Sequence, residues 1–169
     1  NSFAQSGSVY FPDGVYLITS TIVCDEKFIS FFGNSVTACV IKFSPGVAGV
    51  AFDLRHTVLS ANSFAFRNLS IITDFVSAGT AIKITGKLTA ASIQVNGADD
   101  SLYLENVRVT QTGTGYWTTF LNAINNGGMH LSQVSFDNTV LAAQSNSAVI
   151  GILIESPDVR VSLIRTIAA

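Results

Sequence analysis

Four acidic side chains and one histidine are the groups with which this chain could do acid–base work: Glu105, Asp137, the adjoining pair Asp99 and Asp100, and His130. Hydrolysis of a glycosidic bond needs two carboxyl groups about 5 to 5.5 Å apart for retention, or roughly 6.5 to 9.5 Å apart for inversion. No pair of these acids falls convincingly in either window, so each is a catalytic candidate without an assigned partner. Adjacent acids such as those of Asn96-Gly97-Ala98-Asp99-Asp100 mark a turn more often than a dyad. His130 stands alone, and most such histidines are merely surface residues. A second set, Arg67, Tyr103, Glu105, His130 and Arg160, reads as a flat strip of polar and aromatic side chains suited to an extended glycan. Its plainer alternative is a row of solvated ion pairs worth under about 1 kcal/mol each. Trp117, beside Tyr116 between Gly115 and Thr118, is the best aromatic platform for a sugar ring. Counting back from Leu121 in steps of two nevertheless puts it on an inward parity, where it would plug the edge of the fold.

The strip exists only if its members share a face, and a repeat supplies that face. In Leu102-Tyr103-Leu104-Glu105-Asn106-Val107-Arg108-Val109, apolar residues alternate at 102 and 104 and resume, one residue out of phase, at 107 and 109. Side chains on a strand change face at every residue, so the three-residue jump requires a corner at Asn106 and a second short strand facing the same core. The figure returns as Phe64, Phe66, Asn68, Leu69, Ile71, then as Met129, Leu131, Gln133, Val134, Phe136, and more loosely as Val159, Val161, Leu163, Ile164. Another figure precedes it each time: Phe52-Asp53-Leu54, Ile82-Lys83-Ile84, Leu121-Asn122-Ala123 and Ile152-Leu153-Ile154. Units of roughly 27 to 40 residues with three short apolar strands lie in the range of solenoids. No helical stretch is available for ordinary crossovers, so the strands must be wound and stacked like on like. Asn suits the corner because it tolerates the left-handed backbone, and stacked Asn side chains can bond from coil to coil. The expected fold is all-β, a single-stranded right-handed parallel β-helix of about five to six coils, with handedness following the rule for parallel crossovers.

Stacking at about 4.8 Å then assigns neighbours. Outward positions of the first strand read Ala65/Arg67, Tyr103/Glu105, His130/Ser132 and Arg160/Ser162, so Arg67 should lie beside Glu105. Phe66, Leu104, Leu131 and Val161 should form one inward column. Asp53 should lie beside Lys83, Asp137 on Thr110, and Glu155 on Ile124.

Composition sets the outer bounds. The 169 residues suit one domain, 1–169, with enough chain for a core. Of these, 48% are apolar and only 12% charged, against about 25% charged in ordinary soluble domains, so the surface calls for a partner. A net charge of −2 with scattered Lys and Arg argues against nucleic acid. No apolar run approaches the ~18 residues of a membrane span, so no membrane insertion is expected. Cys24 and Cys39 lack metal-ligand spacing and read as buried free thiols; no metal or cofactor is expected. Gly113-x-Gly115 lacks the third glycine and following helix of a nucleotide site. Residues 1–8 read as a tail before the first strand, and the chain is expected to be a fragment of a longer helix, its capping elements missing at both ends.

Val9-Tyr10-Phe11-Pro12-Asp13-Gly14-Val15-Tyr16 resembles the V-x-F-P-x-G-x-Y opening of the pectate-lyase-like superfamily, with Phe28-Ile29-Ser30-Phe31-Phe32-Gly33-Asn34 and Val40-Ile41-Lys42-Phe43 following as expected there. The units over 49–165 resemble the coils of bacteriophage and prophage tailspikes in that superfamily. This resemblance implies a homotrimeric virion-tail or extracellular protein that recognises, and in some members depolymerises, bacterial surface polysaccharide. A secreted polysaccharide lyase or hydrolase and a non-catalytic spacer are the alternatives. The calcium-binding aspartates and catalytic arginine of a pectate lyase have no counterpart motif here.

Overall fold

The computed structural model describes residues 6–25, 27–55, 63–86, 101–137, 150–155, 160–164 and 167–168. Among these every regular element is a strand, and every pairing is parallel. One sheet runs in the order β1 (Ser6–Phe11), β4 (Phe28–Gly33), β7 (Ser63–Thr73), β9 (Ser101–Gln111), β11 (Gly128–Phe136), β13 (Arg160–Ile164). Its second arm adds β2 (Gly14–Ile18), β5 (Cys39–Phe43) and β14 (Ile167–Ala168). The other sheet runs β3 (Ile22–Asp25), β6 (Gly49–Arg55), β8 (Gly79–Thr85), β10 (Thr119–Ile124), β12 (Ile150–Glu155). The chain alternates between sheets once per turn, which makes a parallel β-solenoid of about five to six coils.

The apolar jumps are corners. In β7, β9 and β11 the backbone turns at Asn68 (φ 53°), Asn106 (φ 50°) and Gln133 (φ 54°), all in the left-handed region that asparagine tolerates better than most residues. Asn106 Nδ2 donates to Asn68 Oδ1 at 2.9 Å, so the corners are tied from coil to coil. One coil earlier Gly33 stands at this level, because a Cβ there would meet Cys39 Sγ at 2.5 Å and the Asn68 carbonyl oxygen at 2.8 Å. Asn106→Val should therefore cost about 1–3 kcal/mol, by a β-branched residue forced into positive φ and by loss of the amide tie. Asn106→Gly should cost clearly less, and paired urea melts separate the two.

Inward residues stack in columns. Val9, Phe31, Phe66, Leu104, Leu131 and Leu163 form one, and Phe52, Ile82, Leu121 and Ile152 face it from the other sheet. Phe31 stacks on Phe66 with centroids 4.9 Å apart, and Phe52 meets both edge-on at 5.3 and 5.0 Å. Cys24 and Cys39 are buried free thiols, and burial pushes the Cys24 thiol up to about 11 against the opposing pull of Lys27.

Two placements differ from those read in the sequence. Strand β1 starts at Ser6, within the supposed tail, because pairing with Phe28, Ile29 and Ser30 of β4 supplies the order that Ser6-Gly7-Ser8 would not find alone. In the last coil Met129 pairs with Val161 and Leu131 with Leu163, two residues off the expected column. A slip of two preserves every face, so alternation could not reveal it.

The junctions between the two sheets vary in length. Residues 56–62 separate β6 from β7 and residues 86–100 separate β8 from β9, whereas only Asn125, Asn126 and Gly127 separate β10 from β11. Strand register is the same across all three.

Candidate functional site

Strands β7, β9 and β11, before their corners, present the strip. Ala65, Tyr103 and His130 occupy one outward column, and Arg67, Glu105 and Ser132 occupy the next. Arg67 Nε donates to Glu105 Oε2 at 3.0 Å, as the stacking rule requires. Both partners are about half exposed, so their attraction is worth at most about 1 kcal/mol and serves mainly to hold register. Tyr103 and His130 lie face to face, 4.7 Å between centroids and 7° between planes. That distance matches the coil spacing of roughly 4.8 Å, so each ring covers one face of the other.

Arg160 needs correcting. It pairs with Gly128, and Ser162 takes the place beside His130. The same two-residue slip sets its backbone two residues away from the rung of His130.

Trp117 is not a sugar platform. It is fully buried, its ring lies 5.8 Å from that of Phe43 at 8°, and its Nε1 donates to the Thr110 carbonyl at 2.7 Å. The inward parity counted from Leu121 is the one the chain adopts.

Among the acids, Asp99 and Asp100 lie outside the described residues. Glu105 precedes the corner of β9, whereas Asp137 follows β11 beyond the corner at Gln133 and takes Arg108 Nη2 at 3.2 Å. The two carboxylates therefore sit on different arms, each against its own arginine. Asp137 backbone N–H donates to Val109 oxygen at 2.9 Å, which puts it beside Thr110 as expected. Glu155 pairs with Ile124, also as expected. Asp53 does pair in register with Lys83, yet its carboxylate accepts from Arg55 Nε at 3.0 Å, two residues along the same outer face. Lys42 and Asp74 make a further ion pair at 2.6 Å, and bonds from Lys42 and then Ser44 hold the Asp74 carboxyl below its ordinary range. No three His, Cys, Asp or Glu residues converge to hold a metal among the described residues.

Sequence reasoning missed one polar cluster. The Tyr10 hydroxyl donates to Asn34 Oδ1 at 2.8 Å, Asn34 Nδ2 donates to Asp13 Oδ1 at 2.9 Å, and the Tyr10 ring lies 5.1 Å from Phe32. Extending the column rule back two coils pairs Tyr10 with Phe32, and Phe32 with Arg67, on the outward face that carries the strip.

No family model matches the chain, and no curated protein or solved structure matches it.

Proposed function

We propose that this chain is a tailspike-type β-helix of the pectate-lyase-like superfamily that recognises bacterial surface polysaccharide as a homotrimer in a virion tail or outside the cell. What carries this reading is the outward strip: the Tyr103–His130 ring pair lies one column from the Arg67–Glu105 pair on a rigid stack of coils. A rigid flat ladder of ring and hydrogen-bonding groups suits an extended, hydroxyl-rich chain, because little side-chain entropy is lost on binding. Calorimetric titration with purified capsule and lipopolysaccharide polysaccharides tests the binding, and sedimentation tests the trimer. A monomer that binds none of them contradicts the proposal.

The spacer reading is favoured by a different observation. Lys42–Asp74, Arg67–Glu105 and Arg108–Asp137 each join one coil to the next, and such pairs can hold register without any ligand. Catalysis has its own test. Glu105→Gln is expected to leave any glycan cleavage within a few-fold of the parent, because Glu105 is engaged by Arg67; a loss of about a hundredfold or more with an unchanged melt would make it an acid–base group.

A further inference from the structure

The strip holds two aromatic rings with unequal access. One face of each is covered by the other, which leaves, among the described residues, the Tyr103 face toward Ala65 and the His130 face toward Ser162. Tyr103 is half-buried, and Ala65, against which its free face would open, is 5% exposed. His130 is exposed, and Ser162 on the adjoining coil is a small, half-buried residue that reaches out less than a ring does. Ser132, also half-buried, flanks His130 on the same strand and the same face.

We infer that the free face of the His130 imidazole, with the hydroxyls of Ser162 and Ser132 beside it, is a subsite for a single pyranose ring. The inference rests on the glycan-binding reading and locates one sugar unit within it. A pyranose has one face of C–H groups and a rim of hydroxyls. The C–H face lies on the imidazole, and the rim exchanges hydrogen bonds with serine hydroxyls, which both donate and accept. The step down from His130 to Ser162 leaves a notch about one coil, roughly 4.8 Å, in height. Tyr103 is a positioning residue here: it backs the imidazole from the covered side and touches no sugar.

Three substitutions on this outward face separate the roles without entering the core. Each is titrated with the polysaccharide the parent chain binds and, in parallel, with methyl hexopyranosides while the imidazole proton signals are followed. Ser162→Tyr continues the ring stack and fills the notch, so it should weaken polysaccharide binding by about tenfold or more and abolish the imidazole shifts. His130→Ala should weaken binding to a similar degree. Tyr103→Ala should weaken it less while preserving the imidazole shifts. If the parent binds polysaccharide and Ser162→Tyr binds it equally well, the subsite is wrong and the glycan reading stands. If the parent binds no polysaccharide, both fall.

Discussion

Leu104→Asp is expected to abolish cooperative unfolding, leaving a chain without the native strand signal in circular dichroism at room temperature. Leu104 is 1% exposed and sits between Phe66 and Leu131, with apolar neighbours above and below it in the column. A carboxylate there would have no partner on the inward face. The group must be buried charged, or protonated at the expense of its ordinary pKa, and either costs several kcal/mol on top of the lost leucine packing. The net stability of a domain this size is of order 5–15 kcal/mol, and each coil is held only by its neighbours, so the damage spreads along the stack. Leu104→Met, which keeps the volume, should cost less than about 1.5 kcal/mol. A parent-like melting curve for the aspartate variant would contradict the inward assignment of the whole column.

Trp117→Ala is expected to remove about 3–5 kcal/mol of stability, the usual cost of truncating a buried aromatic residue to alanine. The indole is fully buried, parallel to Phe43, and supplies the bond accepted by the Thr110 carbonyl, which the truncation leaves without that donor. Trp117→Phe restores the ring but not the N–H and should recover part of the loss. Urea melts of the three proteins give the ranking. At temperatures where Trp117→Phe is still folded, any polysaccharide affinity the parent has should be unchanged in it, because the residue faces the core rather than the surface. A folded variant with parent stability and greatly reduced affinity would return Trp117 to the binding surface.

Alternation and the corner signal carried most of the architecture. The jump from Leu104 to Val107 located a bend that the structure realises at Asn106, and it did so again at Asn68 and Gln133, because one inserted residue is the only way to keep two successive arms facing one core. Stacking equivalent residues then placed Arg67 beside Glu105 and Tyr103 beside His130. Partners that do not stand directly opposite across two strands are much less legible. Register sets Asp53 beside Lys83, but Arg55, two positions along its own strand, takes its carboxylate. Arg108 and Asp137 are diagonal neighbours, Asp137 lying two residues past Ser135, the residue on the rung of Arg108, and a rule that compares only directly opposed residues passes over them. The shift of Arg160 to the rung of Gly128 has the same origin as the shift of Val161: a period of two cannot tell a register from one displaced by two.

The uneven junctions between the two sheets have a practical corollary. The connection after β8 is several times longer than the one after β10, while the strands on either side keep step. Those crossings therefore tolerate added chain with little entropic penalty, since closing a loop costs only about 0.6 kcal/mol more for each doubling of its length. They are the natural ports for grafting an epitope or fusing a second module while the column of Phe66, Leu104 and Leu131 stays intact.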